Sequence, residues 1–221
     1  AKLLPVAALA EAARVLRSQT DAAICLDLPD GVVHQTQFLR GFERWLADTA
    51  ENLPFLEALM DIVADAYVAM VGPLLDAVGD NVDVILHCDD IAMQSGPLIN
   101  PRVYRSAIKP RQRRIFEAIK AHSRAKLLFH SCGSLVWALP DLIEIGVDGI
   151  NPVQVSAAKM DTAALKREFG KDLFFWGGID TQYVLPYGSP EETRAEVRRR
   201  IEDLAADGGY IVGSVHIIQA E

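Results

Sequence analysis

Six short apolar segments, all but the last leading through a loop into a helical stretch, constrain this chain more than any other feature. The clearest is VDVILHC (82–88), a continuous run rich in β-branched residues, as expected of a strand buried on both faces. The others are 22–28, 125–130, 147–152, 172–177 and 210–215. Alternation of strand and helix calls for a parallel sheet with helices outside it. Six strands suit either an open doubly wound sheet or an incomplete eight-stranded barrel. No GxGxxG or GxxxxGK[ST] follows any strand, so the usual nucleotide-binding versions are unsupported.

The helical stretches carry their own punctuation. Residues 4–19 are rich in Ala and Leu, with arginines on one side. Residues 39–52 read as one helix, and 55–79 as a long one that Pro54 opens and Gly72-Pro73 should kink or split. Pro101 opens a helix that should break near Pro110. Further helices are expected at 135–146, at 160–170 with Asp161 as its cap and Gly170 closing it, and from Ser189. Ser189, Pro190 and Glu192 make a capping box. The arginine runs 111–114 and 198–200 read as solvated helix faces, with Glu196 and Arg200 at the supporting i, i+4 spacing. Trp45, Tyr67, Tyr104 and Trp137 fit packing between helix and sheet.

Composition narrows the function classes. A chain of 221 residues with half of them hydrophobic can bury a core without disulfides or metals. Lys plus Arg number 22 against 30 Asp plus Glu, a net charge of −8, which argues against nucleic-acid binding. Cys25, Cys88 and Cys132 are too few and too scattered for a disulfide framework, so a reducing, cytoplasmic setting is expected. No uninterrupted apolar run has the length of a membrane span, and no signal peptide opens the chain.

In folds of this type, chemistry collects at the carboxyl ends of the strands. Here those ends carry His87-Cys88-Asp89-Asp90, His130-Ser131-Cys132-Gly133, Asn151-Pro152-Val153-Gln154, Trp176-Gly177-Gly178-Ile179-Asp180 and Gly213-Ser214-Val215-His216. His130 and Cys132, two apart on an extended backbone, leave on the same side. Imidazole and thiolate at that spacing suit zinc, with His216 as a distant third ligand. On spacing alone a buried Cys beside a hydrogen-bonded His is the simpler reading. Asp89-Asp90 offers a general acid or base, or else a helix cap or a salt bridge to Arg102 or Arg105. Adjacent residues on a strand point opposite ways, so at most one of the two should face a cavity. His87 and Cys88 are split in the same manner, and His87 is a weak candidate ligand. Trp176 is the aromatic most expected to line a pocket.

DDIAMQSGPLINPRVYRSAIKP (89–110), FHSCGS (129–134), LIEIGVDGINPVQ (142–154), LKREFGKDLFFWGGIDTQ (165–182) and GGYIVGSVHIIQ (208–219) together resemble the uroporphyrinogen decarboxylase superfamily. RGFERWLAD (40–48) looks similar too, so the likeness runs in order from about residue 22. It implies a (β/α)8 TIM barrel occupying 1–221 as a single domain, with six strands in this chain and the first and last strands lacking. A fragment, or strands supplied by a partner chain as in a homodimer, would account for the shortage. The superfamily holds two chemistries. Corrinoid-linked methyltransferases bind zinc through His-x-Cys and a later Cys. His130 and Cys132 match the first two positions, and His216 stands where the thiolate is expected. The decarboxylases act on uroporphyrinogen, in porphyrin biosynthesis, without metal or cofactor. They hold its carboxylates with an arginine-rich segment that Arg40 and Arg44 do not match in position. The DDIAMQ and NPVQ forms look more like the methyltransferase branch. The resemblance therefore implies zinc-dependent methyl transfer between a small substrate and a corrinoid protein. Zinc would sit on His130, Cys132 and His216, with Asp90 and His216 catalytic and Asp89, Gln154, Trp176 and Asp180 at the substrate. The alternatives are the cofactor-free carboxy-lyase reaction, with His216 and one Asp contacting substrate, and a non-catalytic binding protein. Neither nucleic acid nor membrane is expected as a partner.

Overall fold

The computed structural model describes residues 5–218 and divides into two compact units. The first comprises Ala1–Asp89 with Ile99–Leu128, the second Asp90–Leu98 with Phe129–Glu221.

The first unit begins with α1 (Val6–Gln19), whose Arg17 pairs with Asp83. Strand β1 (Cys25–Asp27) follows and pairs in parallel with β2 (Val84–Cys88), Leu26 opposite Ile85. The expected helix at 39–52 is in fact two, α2 (Val32–Arg40) and α3 (Phe42–Glu51). Gly41, at φ +81°, is the break between them. Trp45 of α3 is fully buried and donates from Nε1 to Thr36 Oγ1 of α2 at 2.8 Å.

α4 (Leu53–Val78) is not split by Gly72-Pro73. Leu56, Met60, Ala64, Tyr67, Val71, Leu74, Leu75 and Val78 form a buried stripe along it that continues across the proline. Burial on both sides of Pro73 holds the helix through the missing hydrogen bond. By length and overall composition α4 would pass for a membrane span, although Glu57, Asp61, Asp65 and Asp76 interrupt its apolar run. Its stripe is nevertheless core. Its outer side carries Glu57 and Asp61, which pair with Arg111, and Asp65, which pairs with Arg114. Arg111 is thus largely covered and is not part of a solvated face.

A 3₁₀ turn (Gly79–Asn81) leads into β2. Later in this unit come α5 (Pro101–Val103), a π turn (Tyr104–Ile108) and α6 (Lys109–His122). The break expected near Pro110 is this wider turn. Lys109 N–H reaches back to Tyr104 C=O, and winding continues past the proline.

The second unit opens with a small antiparallel hairpin, β3 (Ala92–Met93) and β4 (Gly96–Pro97). Strand β5 (Lys126–His130) runs from the first unit into the second. It is followed by a 3₁₀ turn (Val136–Ala138), α7 (Leu139–Glu144), β6 (Gly149–Asn151), α8 (Thr162–Phe169), β7 (Phe174–Ile179), α9 (Val184–Tyr187), α10 (Pro190–Leu204) and β8 (Tyr210–Ser214). Asp161 caps α8, and the capping box opens α10 with both reciprocal hydrogen bonds formed. Arg200 of α10 is buried against Thr162 and Glu196 rather than solvated.

The main sheet has six strands in the order β1-β2-β5-β6-β7-β8, so successive strands of the parallel set are neighbours. That is the order of a barrel-type α/β sheet and not of a doubly wound one, where the order reverses.

Candidate functional site

In the second unit the carboxyl end of β5 is organised by alternation. His130 and Cys132 leave on one side, and Cys132 Sγ lies 3.6 Å from His130 Nε2. Ser131 goes the other way, is buried, and accepts Ile91 N–H on its hydroxyl. Cys132 N–H donates to Asp90 Oδ1 at 2.7 Å, which fixes the carboxylate beside the thiol. Gly133 follows at φ +95°, where an added Cβ would meet Met93 C=O at 2.6 Å. A side chain there would push the loop away from the β3–β4 hairpin. The same carbonyl accepts Ser134 N–H, so hairpin and loop are stitched together.

His130 is held from its far side. Its Nδ1 lies 2.6 Å from Asn151 Oδ1 at the end of β6. Asn151 Nδ2 donates to Trp176 C=O of β7, so its oxygen must be the atom facing the imidazole. That oxygen can only accept. His130 therefore carries its proton on Nδ1 and turns the Nε2 lone pair toward Cys132 and Asp90. One ligand atom each from Asp90, His130 and Cys132 lie within 4.8 Å of one another.

Two of the remaining expected residues, His216 and Gln154, border this cluster. His216, exposed just after β8, sets its ring 6.5 Å from that of His130, nearly edge to face. Gln154 is buried; its Oε1 accepts Gly133 N–H at 2.7 Å and its Nε2 donates to Gln94 Oε1 and Ser156 Oγ. It shapes the loop that carries Cys132. Trp176 is half-buried, with its indole edge over Gly213. Asp180 is buried and accepts Gln182 N–H.

Asp89 belongs to the first unit. It is fully buried, with Oδ1 accepting the N–H groups of Val33 and His34 and Oδ2 accepting Gln112 Nε2. It caps α2 from a distance, the helix-cap alternative that the sequence left open. His87, also buried, bonds Tyr67 Oη through Nδ1 and packs edge-on to Phe116. The sequence shows Asn151 at a strand end and Gln94 within DDIAMQ but gives neither a role. The available signal was polar side chains on the strand end and hairpin that flank HSCG.

Burial pushes the Cys132 thiol up to about 11, and the Asp90 carboxylate adds to the shift. Alone it is a neutral thiol near pH 7. A bound cation would turn it into a thiolate there.

A parallel sheet in this strand order, with polar residues at its strand ends, defines a barrel-type α/β fold. The profile of the family "Uroporphyrinogen decarboxylase (URO-D)" matches residues 34–221, and the chain belongs to that family. Solved structures that share the fold include the following two. A methyltransferase from Methanosarcina mazei has a TM-score of 0.72 at 20% identity, over 96% of this chain and 59% of that one. A B12-independent methionine synthase from Shewanella sp. W3-18-1, in complex with selenomethionine, has a TM-score of 0.57 at 17% identity, over 96% and 61%. The chain thus spans about three fifths of each. No curated protein sequence matches it.

Proposed function

We propose that this URO-D superfamily enzyme is a zinc-dependent methyltransferase, acting between a small thiol or alcohol substrate and a corrinoid protein. The observation that carries this reading is the cluster of Asp90, His130 and Cys132 with His130 oriented by Asn151. Edges of a tetrahedral zinc site between sulfur and nitrogen are about 3.6 Å. Cys132 Sγ and His130 Nε2 stand 3.6 Å apart, so a cation fits between them with little adjustment. Carboxylate, imidazole and thiolate are the donor types zinc takes, and three protein ligands leave a position for substrate.

Zinc held there would act as a Lewis acid that keeps a thiol or alcohol ionised near neutral pH. Asp90 is assigned as the third ligand, which differs from the acid–base role expected from sequence. Asn151 keeps the His130 lone pair aimed at the site. His216, with its ring 6.5 Å from that of His130, is assigned the acceptance of the substrate's proton. Gln154 and Gln94 hold the Gly133 backbone, and Trp176 offers an apolar wall. This order of polar groups around one mixed donor set supports methyl transfer over metal-free decarboxylation.

The test is loss of methylcobalamin, followed by its absorbance, with simple thiols as acceptors. Demethylation that Cys132→Ser abolishes supports the reading. A metal-free protein that leaves methylcobalamin intact and releases carbon dioxide from uroporphyrinogen would replace it with the decarboxylase.

A further inference from the structure

The first unit holds a second cluster that the proposed chemistry does not use. Asp30, His34 and Cys88 each bring one ligand atom within 4.8 Å of the others, and all three are half-buried. His34 Nδ1 is the shared centre, 3.8 Å from Cys88 Sγ and 3.6 Å from Asp30 Oδ1. The nitrogen-to-oxygen separation is too long for a hydrogen bond. The sulfur-to-nitrogen contact is within hydrogen-bond reach for a thiol, and both separations lie within a few tenths of an ångström of the edges of a tetrahedron around zinc, about 3.4 Å for N···O and 3.6 Å for S···N.

The backbone that carries these side chains is fixed independently of them. Gly31 N–H donates to Cys88 C=O at 2.8 Å, tying the residue after Asp30 to Cys88. Asp89 Oδ1 accepts the N–H of His34 itself and of Val33, tying the first turn of α2 to the residue after Cys88. Gly31 is required for this approach, since an added Cβ would lie 2.6 Å from Asp89 Oδ2. The ring of His34 is further steadied by stacking on Phe38 at 6.1 Å. Three donors of the types zinc prefers are thus brought together on a scaffold already hydrogen-bonded into place, which lowers the ordering cost of binding.

We propose that Asp30, His34 and Cys88 form a second binding site for a divalent cation of the zinc class, with a fourth position open to water or a small ligand. Binding takes Cys88 as thiolate, its proton going to solvent. The site shares no residue with the cluster around His130.

Zinc and cobalt(II) are the probes. The full chain, stripped of metal and titrated with zinc, is expected to hold two equivalents by native mass spectrometry. Cys88→Ser and, separately, His34→Ala should each remove one and leave the other, with circular dichroism unchanged. With cobalt(II), Cys132→Ser should retain a thiolate-to-cobalt charge-transfer band that the Cys88→Ser/Cys132→Ser double variant lacks. The proposal is overturned if zinc content is the same with and without Cys88 and His34, or if Cys132→Ser alone removes the whole band. Loss of the His130 site alone would leave the Cys88-dependent equivalent in place, so the two assignments fail separately.

Discussion

At the scale of single residues, the most informative contact is the one between Asn151 and His130. A hydrogen bond to the far nitrogen of a ligating imidazole sets its tautomer and raises its basicity, and removing such a partner weakens metal binding about 10- to 100-fold. Asn151→Ala is therefore expected to reduce zinc affinity by that factor without unfolding the protein, measured by competition with a chromogenic chelator. Asn151→Asp, which keeps an acceptor in place, should restore most of it. The His130–Cys132 spacing was readable because period-two alternation is local. Asn151 was not, because its partner lies 21 residues away and the pairing exists only once β5 and β6 are side by side.

At the scale of elements, caps written in consecutive residues were legible, and those supplied from far along the chain were not. The capping box of α10 lies within four consecutive residues, Ser189 to Glu192, and forms as the sequence indicates. α2 carries no capping side chain of its own. Its first turn is satisfied by Asp89, more than fifty residues away, so nothing in VVHQTQF announces a helix start. Pro73 misled for the opposite reason: intrinsic propensity argues for a break, and packing of the α4 stripe overrides it. Asp89→Ala would strand Val33 and His34 N–H and the Gln112 amide in the interior. It is expected to cost about 1–3 kcal/mol, seen as a lower midpoint in urea unfolding at unchanged slope.

At the scale of the whole molecule, the acidic balance is spent partly on ion pairs that make stability pH-dependent. The Arg40 guanidinium holds Asp48 below the usual carboxylate range. Arg111, with Arg114, does the same for Asp61. For Asp83, Ile24 N–H is the larger cause and Arg17 the second. A carboxyl whose folded value lies below its unfolded one, about 4, stabilises the fold above that pH and loses the contribution as pH falls further. The melting temperature is therefore expected to be flat between about pH 7 and 5 and to fall below about pH 4. Asp61→Asn should lower it near neutrality and make the acid limb shallower. A melting temperature that rises on acidification would contradict these pairings.

The six parallel strands and the membership of the URO-D family were legible in the sequence, from strand–helix rhythm and the ordered motifs. Rhythm alone left two strand orders open, and only the resemblance pointed to the barrel. The partition of Asp89 and Asp90 between a helix cap and a metal-type cluster required the structure. What most directly tests the central claim is the zinc content of Cys88→Ser protein, purified without a histidine tag, with and without Cys132→Ser added. One zinc per chain, lost when Cys132 is replaced while the fold persists, is the expected result. Zinc content that Cys132→Ser leaves unchanged, or a folded protein that takes up none when offered it, would contradict a metal centre on Asp90, His130 and Cys132.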